Sequence, residues 1–138
     1  MATLLIVDDD TNIRETLQDL LSETHECHTA DRAEQALAYL ELENYDAVIT
    51  DLAMPGLSGR EIIKCTQENH PATPVIVVSG NADEDAAKEL IEMGAFAYLT
   101  KPFQLEQVED AVNRAITRHH ELLDSSHKDA SVDSPELS

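Results

Sequence analysis

Six polar residues stand at the ends of four short apolar segments, where their types could do chemistry together. They are Asp8, Asp9, Asp10, Asp51, Ser79 and Lys101. Carboxylates that lie close together repel one another and raise each other's pKa unless a cation lies among them. If the fold brings the four segment ends together, these residues predict a site for a hard divalent cation, which prefers oxygen ligands.

Phosphoryl transfer is the chemistry that such a set of groups suits. Catalysis of this reaction depends mostly on positioning and on neutralising the charge of the moving phosphoryl oxygens. Lys101 would supply a positive charge and Ser79 a hydrogen bond, while Asp51, at the middle of the expected cleft, would be the nucleophile. Mg²⁺ is the expected cation, because it is usually held by one or two carboxylates together with waters and a phosphate oxygen.

The elements that must position these residues follow a regular strand–helix rhythm. Short apolar runs with little alternation are typical of parallel strands that are covered on both faces. They lie at 4–7, 46–50, 74–78 and 96–99, with a weaker run at 26–30. Apolar residues recur at helical spacing in the five intervening and following segments, and Asp10 or Thr11, Asp31 and Ser58 are predicted to be helix N-caps.

This rhythm predicts an α/β fold of the (βα)5 type. The expected architecture is a doubly wound, five-stranded parallel sheet with the flavodoxin-like strand order 2-1-3-4-5. Ligands of such sheets bind at the carboxyl ends of the strands, at a topological switch point. In this order the ends of strands one, three, four and five are neighbours, so the six polar residues would line one cleft.

Four segments of the chain resemble the receiver domain of two-component response regulators, and in particular the chemotaxis receivers. The segments are Leu5–Asp10 (LIVDDD), Val48–Gly56 (VITDLAMPG), Val77–Gly80 (VVSG) and Tyr98–Phe103 (YLTKPF). The match runs from about Leu4 to Arg118, in the order and spacing of that family. The receiver domain is therefore expected to span residues 1–121.

The resemblance implies a signalling module, one that catalyses only its own Mg²⁺-dependent phosphorylation and dephosphorylation. Asp51 would be phosphorylated by a histidine kinase or a histidine phosphotransfer protein. Mg²⁺, or Mn²⁺ in its place, would be bound directly by Asp9, by Asp51 and by the backbone carbonyl of Ala53. Asp8 would contribute through a bound water.

The resemblance also implies a switch. Ser79 and Lys101 would contact the phosphoryl group, and the Lys101–Pro102 peptide would be cis. Tyr98 would be the aromatic switch residue of strand five. Phosphorylation would change the surface made by the fourth helix, the fifth strand and the fifth helix. Self-association that depends on phosphorylation is left open.

Composition bounds the remaining expectations. With 138 residues, of which 42% are hydrophobic, the chain is sized for one domain with its own core. Its formal net charge of −19 argues against direct binding to nucleic acid or to an anionic membrane. No secretory leader or long apolar run is present in the sequence, which predicts a soluble, cytoplasmic protein. Residues 122–138 are expected to form a flexible acidic tail, and Cys27 and Cys65 to be ordinary thiols.

Two other functions fit the same fold class. A phosphatase with an aspartyl nucleophile usually carries a second acid two residues later, where this chain has Ala53. A flavin-binding module would need a phosphate loop rich in Gly, Ser and Thr after strand one, where three aspartates stand. Within the receiver family, the Gly94–Leu99 stretch lacks the acidic pair often seen in winged-helix regulators, and it resembles receivers of enhancer-binding regulators or hybrid kinases.

Overall fold

A computed structural model describes residues 2–52, 54, 56, 58–80 and 84–132 of the chain. The strands are β1 (Thr3–Val7), β2 (Glu26–Ala30), β3 (Ala47–Asp51), β4 (Val75–Ser79) and β5 (Ala97–Thr100). The helices are α1 (Thr11–Leu21), α2 (Ala33–Leu42), α3 (Gly59–Asn69), α4 (Glu84–Met93) and α5 (Leu105–Val132). All strand pairs are parallel and the sheet order is β2-β1-β3-β4-β5, so the expected fold class and strand order are confirmed.

The sheet separates two aliphatic cores. Alternate residues of β1, such as Leu5 and Val7, pack with α2, α3 and α4, while Leu4 and Ile6 pack with α1 and α5. Because both faces are covered, β3 and β4 are buried along their whole length. This explains why their sequences are nearly continuous apolar runs. The polar residues Asp8, Asp51, Ser79 and Lys101 lie at the carboxyl ends of the strands.

The starts of α1 and α3, close to this edge of the sheet, are fixed by side-chain caps. Asp10 accepts hydrogen bonds from the backbone N–H groups of Asn12 and Ile13, which confirms it as the N-cap of α1. Ser58 and Glu61 form a capping box at the start of α3. The expectation for α2 is wrong, because its N-cap is Arg32 without a side-chain cap, and the Asp31 carboxylate accepts a bond from the Arg32 guanidinium instead.

The last helix is longer than the sequence pattern indicated. α5 continues to Val132, so residues 122–132 are helical where a flexible tail was expected, and residues 133–138 lie outside the described part of the chain. No Gly or Pro interrupts the sequence between Leu105 and Pro135, so nothing in the covalent chain stops the helix. The domain boundary at residue 121 stays a prediction.

No helix in the described ranges combines the length and the apolar character needed to cross a bilayer. Cys27 and Cys65 are both free and half-buried, as expected for ordinary thiols.

Candidate functional site

The strand register brings the predicted polar residues to one edge. Asp51 is the last residue of β3 and lies beside Val78, the residue before Ser79 at the end of β4. Lys101 follows β5 directly, and its backbone N–H donates to the Ser79 carbonyl at 2.8 Å. Asp8 follows β1 in the same way. The four strand ends are thus level with one another, as the sequence predicted.

A buried ion-pair network connects three of these residues. The Lys101 ammonium lies 3.1 Å from Asp8 Oδ2 and 3.4 Å from Asp51 Oδ2. Both carboxylates are buried, and the Lys101 side chain is about one-fifth exposed at 19%. The Lys101–Pro102 peptide is cis, as the family resemblance implied. One ammonium therefore faces two buried carboxylates.

The carboxylates form a set that fits a divalent cation. Ligand oxygens of Asp8, Asp9 and Asp51 lie within 4.8 Å of one another. In an octahedral Mg²⁺ site with bonds of about 2.1 Å, neighbouring oxygens are about 3 Å apart and opposite ones about 4.2 Å apart. Asp9 is exposed, so the set opens to solvent on one side. The donor set consists only of oxygens, which is what Mg²⁺ and Mn²⁺ prefer.

The electrostatics of Asp51 also favour a bound cation. Burial and repulsion from Asp8 raise the pKa of Asp51 from 3.8 to about 6, against the opposing effect of Lys101. Burial alone would lower the pKa of Lys101, but its hydrogen bond to Asp8 and its attraction to Asp51 outweigh burial and raise it. One lysine does not compensate three carboxylates, so added positive charge would stabilise the ionised form of Asp51.

The backbone around Asp8 is held by three further contacts. Its N–H donates to the Ala30 carbonyl at 3.1 Å, and its Oδ1 accepts from the Asp10 N–H at 2.9 Å. Its carbonyl accepts from Arg14 Nη1 at 2.7 Å. Sequence reasoning missed Arg14, because a single basic residue on an amphipathic helix gives no spacing signal that separates it from a solvated surface charge.

Sequence reasoning also missed Gly59, the first residue of α3. Its N–H donates to the Leu52 carbonyl at 2.9 Å. A β-carbon at position 59 would lie 2.4 Å from the Asp51 carbonyl oxygen, so only glycine allows α3 to approach β3 this closely. The next residue, Arg60, pairs with Glu89 and contacts Met93 Sδ, which links the start of α3 to α4.

The expected switch residues occupy different environments. Ser79 is buried at the end of β4, and a β-carbon at the adjacent Gly80 would meet no atom of the described residues within 4 Å. Tyr98 is half-buried on β5 and packs against the core that faces α2, α3 and α4. Ala53, whose carbonyl was expected to bind the metal, lies outside the described residues.

Comparison with known proteins gives one consistent family. Residues 4–113 match the family model described as the response regulator receiver domain. The DNA-binding transcriptional regulator NtrC of Salmonella typhimurium is 36% identical over 117 residues, which are 84% of this chain and 25% of that protein. The response regulator protein FleR of Pseudomonas aeruginosa is 38% identical over 114 residues, or 82% of this chain and 24% of that protein. The chain thus spans about a quarter of the length of these curated relatives.

Solved structures agree with the sequence comparison. A response regulator receiver domain protein from Clostridium thermocellum superposes with a TM-score of 0.82 at 34% identity, and the match covers 88% of this chain and 99% of that one.

Proposed function

Because this chain belongs to the response regulator receiver domain family of two-component systems, we propose that Asp51 is its phosphoryl acceptor. The donor would be a phosphohistidine of a histidine kinase or of a phosphotransfer protein. An Asp51 carboxylate oxygen forms the bond to phosphorus while the P–N bond breaks, and the histidine nitrogen keeps the electron pair. The product is an aspartyl phosphate, and water later hydrolyses it.

The convergence of Asp8, Asp9, Asp51 and Lys101 is the observation that carries this proposal. Asp51 is the carboxylate at the end of the central strand β3, and it lies beside the ammonium that would neutralise a phosphoryl oxygen. Asp8 is fully engaged in hydrogen bonds and an ion pair, which suits a supporting residue better than a nucleophile. The exposed side of the set, at Asp9, offers the approach for the donor.

Mg²⁺ is the proposed cofactor, with Mn²⁺ as a substitute. Asp9, Asp51 and the Ala53 carbonyl would hold the ion, and Asp8 would contribute through a water. When bound, the ion supplies positive charge to the phosphoryl oxygens. The raised pKa of Asp51 supports this assignment, because the ionised nucleophile needs more positive charge than Lys101 provides.

The proposed output is a change of surface. In the phosphorylated state the Ser79 hydroxyl donates to a phosphoryl oxygen, and Tyr98 turns inward. The surface of α4, β5 and α5 then changes. Ile91 on α4 and Leu105 on α5 are large apolar residues that are 45% exposed, and they supply apolar area for phosphorylation-dependent self-association.

Labelling with a small phosphodonor tests the phosphoryl acceptor. The wild-type chain, incubated with acetyl phosphate and Mg²⁺, is expected to gain one base-labile phosphoryl group detectable by intact mass. Asp51→Asn removes the nucleophilic carboxylate with almost no change in shape, and it should abolish the adduct. Asp19→Asn, the same chemical change on the exposed face of α1, is the matched control and should be labelled like the wild type. Equal labelling of Asp51→Asn would overturn the assignment.

A further inference from the structure

Arg14 reaches from α1 to the backbone of the proposed metal site. Its Nη1 donates to the Asp8 carbonyl oxygen at 2.7 Å, and its Nη2 to Thr11 Oγ1 at 3.4 Å. We propose that Arg14 is a positioning residue, which holds the Asp8–Asp9 peptide so that both carboxylates face the metal. This inference rests on the proposed function, because it assigns a role toward the same site.

The contacts of Asp8 show why one guanidinium has this effect. On the strand side the Asp8 N–H is fixed by the Ala30 carbonyl, and on the helix side the Asp8 carbonyl is fixed by Arg14. The Asp8 carbonyl belongs to the peptide that leads into Asp9. Rotation of this peptide would redirect the Asp9 side chain, which is exposed and belongs to the carboxylate set. Arg14 therefore sets the direction of a ligand that it does not touch.

The planar geometry of the guanidinium contributes to this positioning, because two of its nitrogens donate hydrogen bonds to different acceptors. Arg14 uses two nitrogens, one on the end of β1 and one on the first turn of α1. A lysine carries a single ammonium on a flexible stem and does not hold two acceptors in one fixed plane. Groups that orient metal ligands from behind typically affect metal affinity by roughly 10–100-fold when they are removed.

Charge and positioning predict opposite results for metal affinity. Arg14 adds a positive charge close to a cation site, so its removal would strengthen Mg²⁺ binding if charge repulsion were its main effect. If positioning is its main effect, removal weakens Mg²⁺ binding because the Asp8–Asp9 peptide becomes mobile. The sign of the change therefore separates the two roles.

Mg²⁺ titration of the full chain measures this sign. We expect Arg14→Met, which keeps an unbranched side chain without donors, to weaken Mg²⁺ binding about tenfold, as for other groups that orient metal ligands. Arg14→Lys should weaken it by a smaller factor. In metal-free buffer, Arg14→Met should also shift the amide NMR signals of Asp9 and Asp10. Unchanged or tighter Mg²⁺ binding by Arg14→Met would overturn the proposal.

A matched control lies at the same edge of the molecule. Arg32 is exposed and pairs with Asp31 after β2, so Arg32→Met makes the same change of charge without touching the Asp8 backbone. It should leave the Mg²⁺ affinity and the two amide signals unchanged. If Arg14→Met does not fold, the Mg²⁺ affinity of Arg14→Lys is the test. A Mg²⁺ affinity of Arg14→Lys equal to that of the wild type contradicts the proposal. None of these measurements needs phosphorylation, so a wild-type chain that binds Mg²⁺ but takes no phosphoryl group refutes only the proposed function.

Discussion

Asp51 combines burial with two neighbouring carboxylates, and its ionisation therefore opposes folding when no cation is bound. Its pKa is about 6 in the folded chain, against a usual value of 3.8. The folded state thus binds the proton more tightly than the unfolded state does. The contribution of Asp51 to the free energy of unfolding is fully present below the usual pKa of 3.8. It is lost as the pH rises through the folded pKa near 6, and the total loss is on the order of 3 kcal/mol.

Asp51→Asn should therefore stabilise the metal-free protein at pH 8. The variant cannot ionise at this position, so we expect its free energy of unfolding in EDTA to exceed that of the wild type by about 1–3 kcal/mol. The gain should shrink as the pH is lowered through 6 and largely vanish near pH 4, where wild-type Asp51 is protonated. Urea unfolding at several pH values measures it, with Asp19→Asn as the exposed control. A gain that is the same at pH 4 and pH 8 would argue against the titration of Asp51 as its cause.

The residue types at the ends of the strands predicted the location of the site, because few side chains can bind a cation and a phosphoryl group. Asp8, Asp51 and Lys101 could be placed from the sequence, since only a few side chains suit a cation and a phosphoryl group. Arg14 and Gly59 could not be placed in this way. One acts through a backbone carbonyl and the other through the absence of a β-carbon, and neither leaves a pattern in the types of the neighbouring residues.

At the scale of elements, the contact between α3 and β3 supports the backbone of Asp51. The first turn of α3 rests directly on the Asp51 and Leu52 backbone, and the Ser58–Glu61 capping box fixes where that turn begins. A shift of α3 would therefore be transmitted to the Asp51 main chain.

Gly59→Ala tests the close approach of these two elements. Alanine favours helices over glycine by up to about 1 kcal/mol, so an unconstrained site would be stabilised. Here the new β-carbon would lie 2.4 Å from the Asp51 carbonyl oxygen and 3.0 Å from Leu52 Cα. Overpacking of this kind typically costs about 1–3 kcal/mol, so we expect net destabilisation in urea unfolding and slower labelling of Asp51.

Gly80→Ala is the matched control for stability, because a β-carbon there meets nothing within 4 Å. Its free energy of unfolding should stay within about 0.5 kcal/mol of the wild type. If Gly59→Ala has the same free energy of unfolding as Gly80→Ala, α3 and β3 can move apart without loss of stability, and the prediction is wrong.

Element types and order followed from apolar periodicity, whereas element ends did not. β3 and β4 each end one residue later than the apolar runs indicated, because Asp51 and Ser79 continue the ladder although they are polar. α5 runs past the last strongly periodic residues, where neither Gly nor Pro interrupts the chain. Periodicity reports burial, and it says little about segments whose conformation does not depend on burial.

At the scale of the whole molecule, the site is connected to a distant surface by α3 and β5. Arg60 joins the start of α3 to Glu89 and Met93 of α4. Gln67, near the end of α3, donates to the Gly94 carbonyl at 2.9 Å, so both ends of α3 are joined to the C-terminal half of α4 and the residue that follows it. Lys101 directly follows β5, and its backbone N–H donates a hydrogen bond to the Ser79 carbonyl at the end of β4. The site is therefore also connected to β5.

These connections limit which surface can respond to a phosphoryl group. Ser79 and Lys101 lie at the ends of the paired strands β4 and β5, and α4 packs against β5 and α3, whereas α2 packs against β1, β2 and α3. A change at Ser79 and Lys101 should therefore spread to residues 84–118 and leave α2 nearly unchanged. Moving the population from 1:99 to 99:1 requires about 5.5 kcal/mol of differential interaction. Hydrogen bonds to a charged phosphoryl group, at about 1.5–3 kcal/mol each, are of the size needed.

Beryllofluoride with Mg²⁺ mimics the phosphoryl group and tests this coupling. We expect it to shift the amide NMR signals of the site and of residues 84–118, with the signals of 33–42 as an internal reference. Ser79→Ala removes the hydroxyl that would donate to the mimic, so this variant should still bind the mimic at Asp51 but show smaller shifts on α4 and β5. Asp51→Asn should show none. If the mimic binds and only signals beside Asp51 move, the chain accepts a phosphoryl group without this switch, and its output surface lies nearer the site.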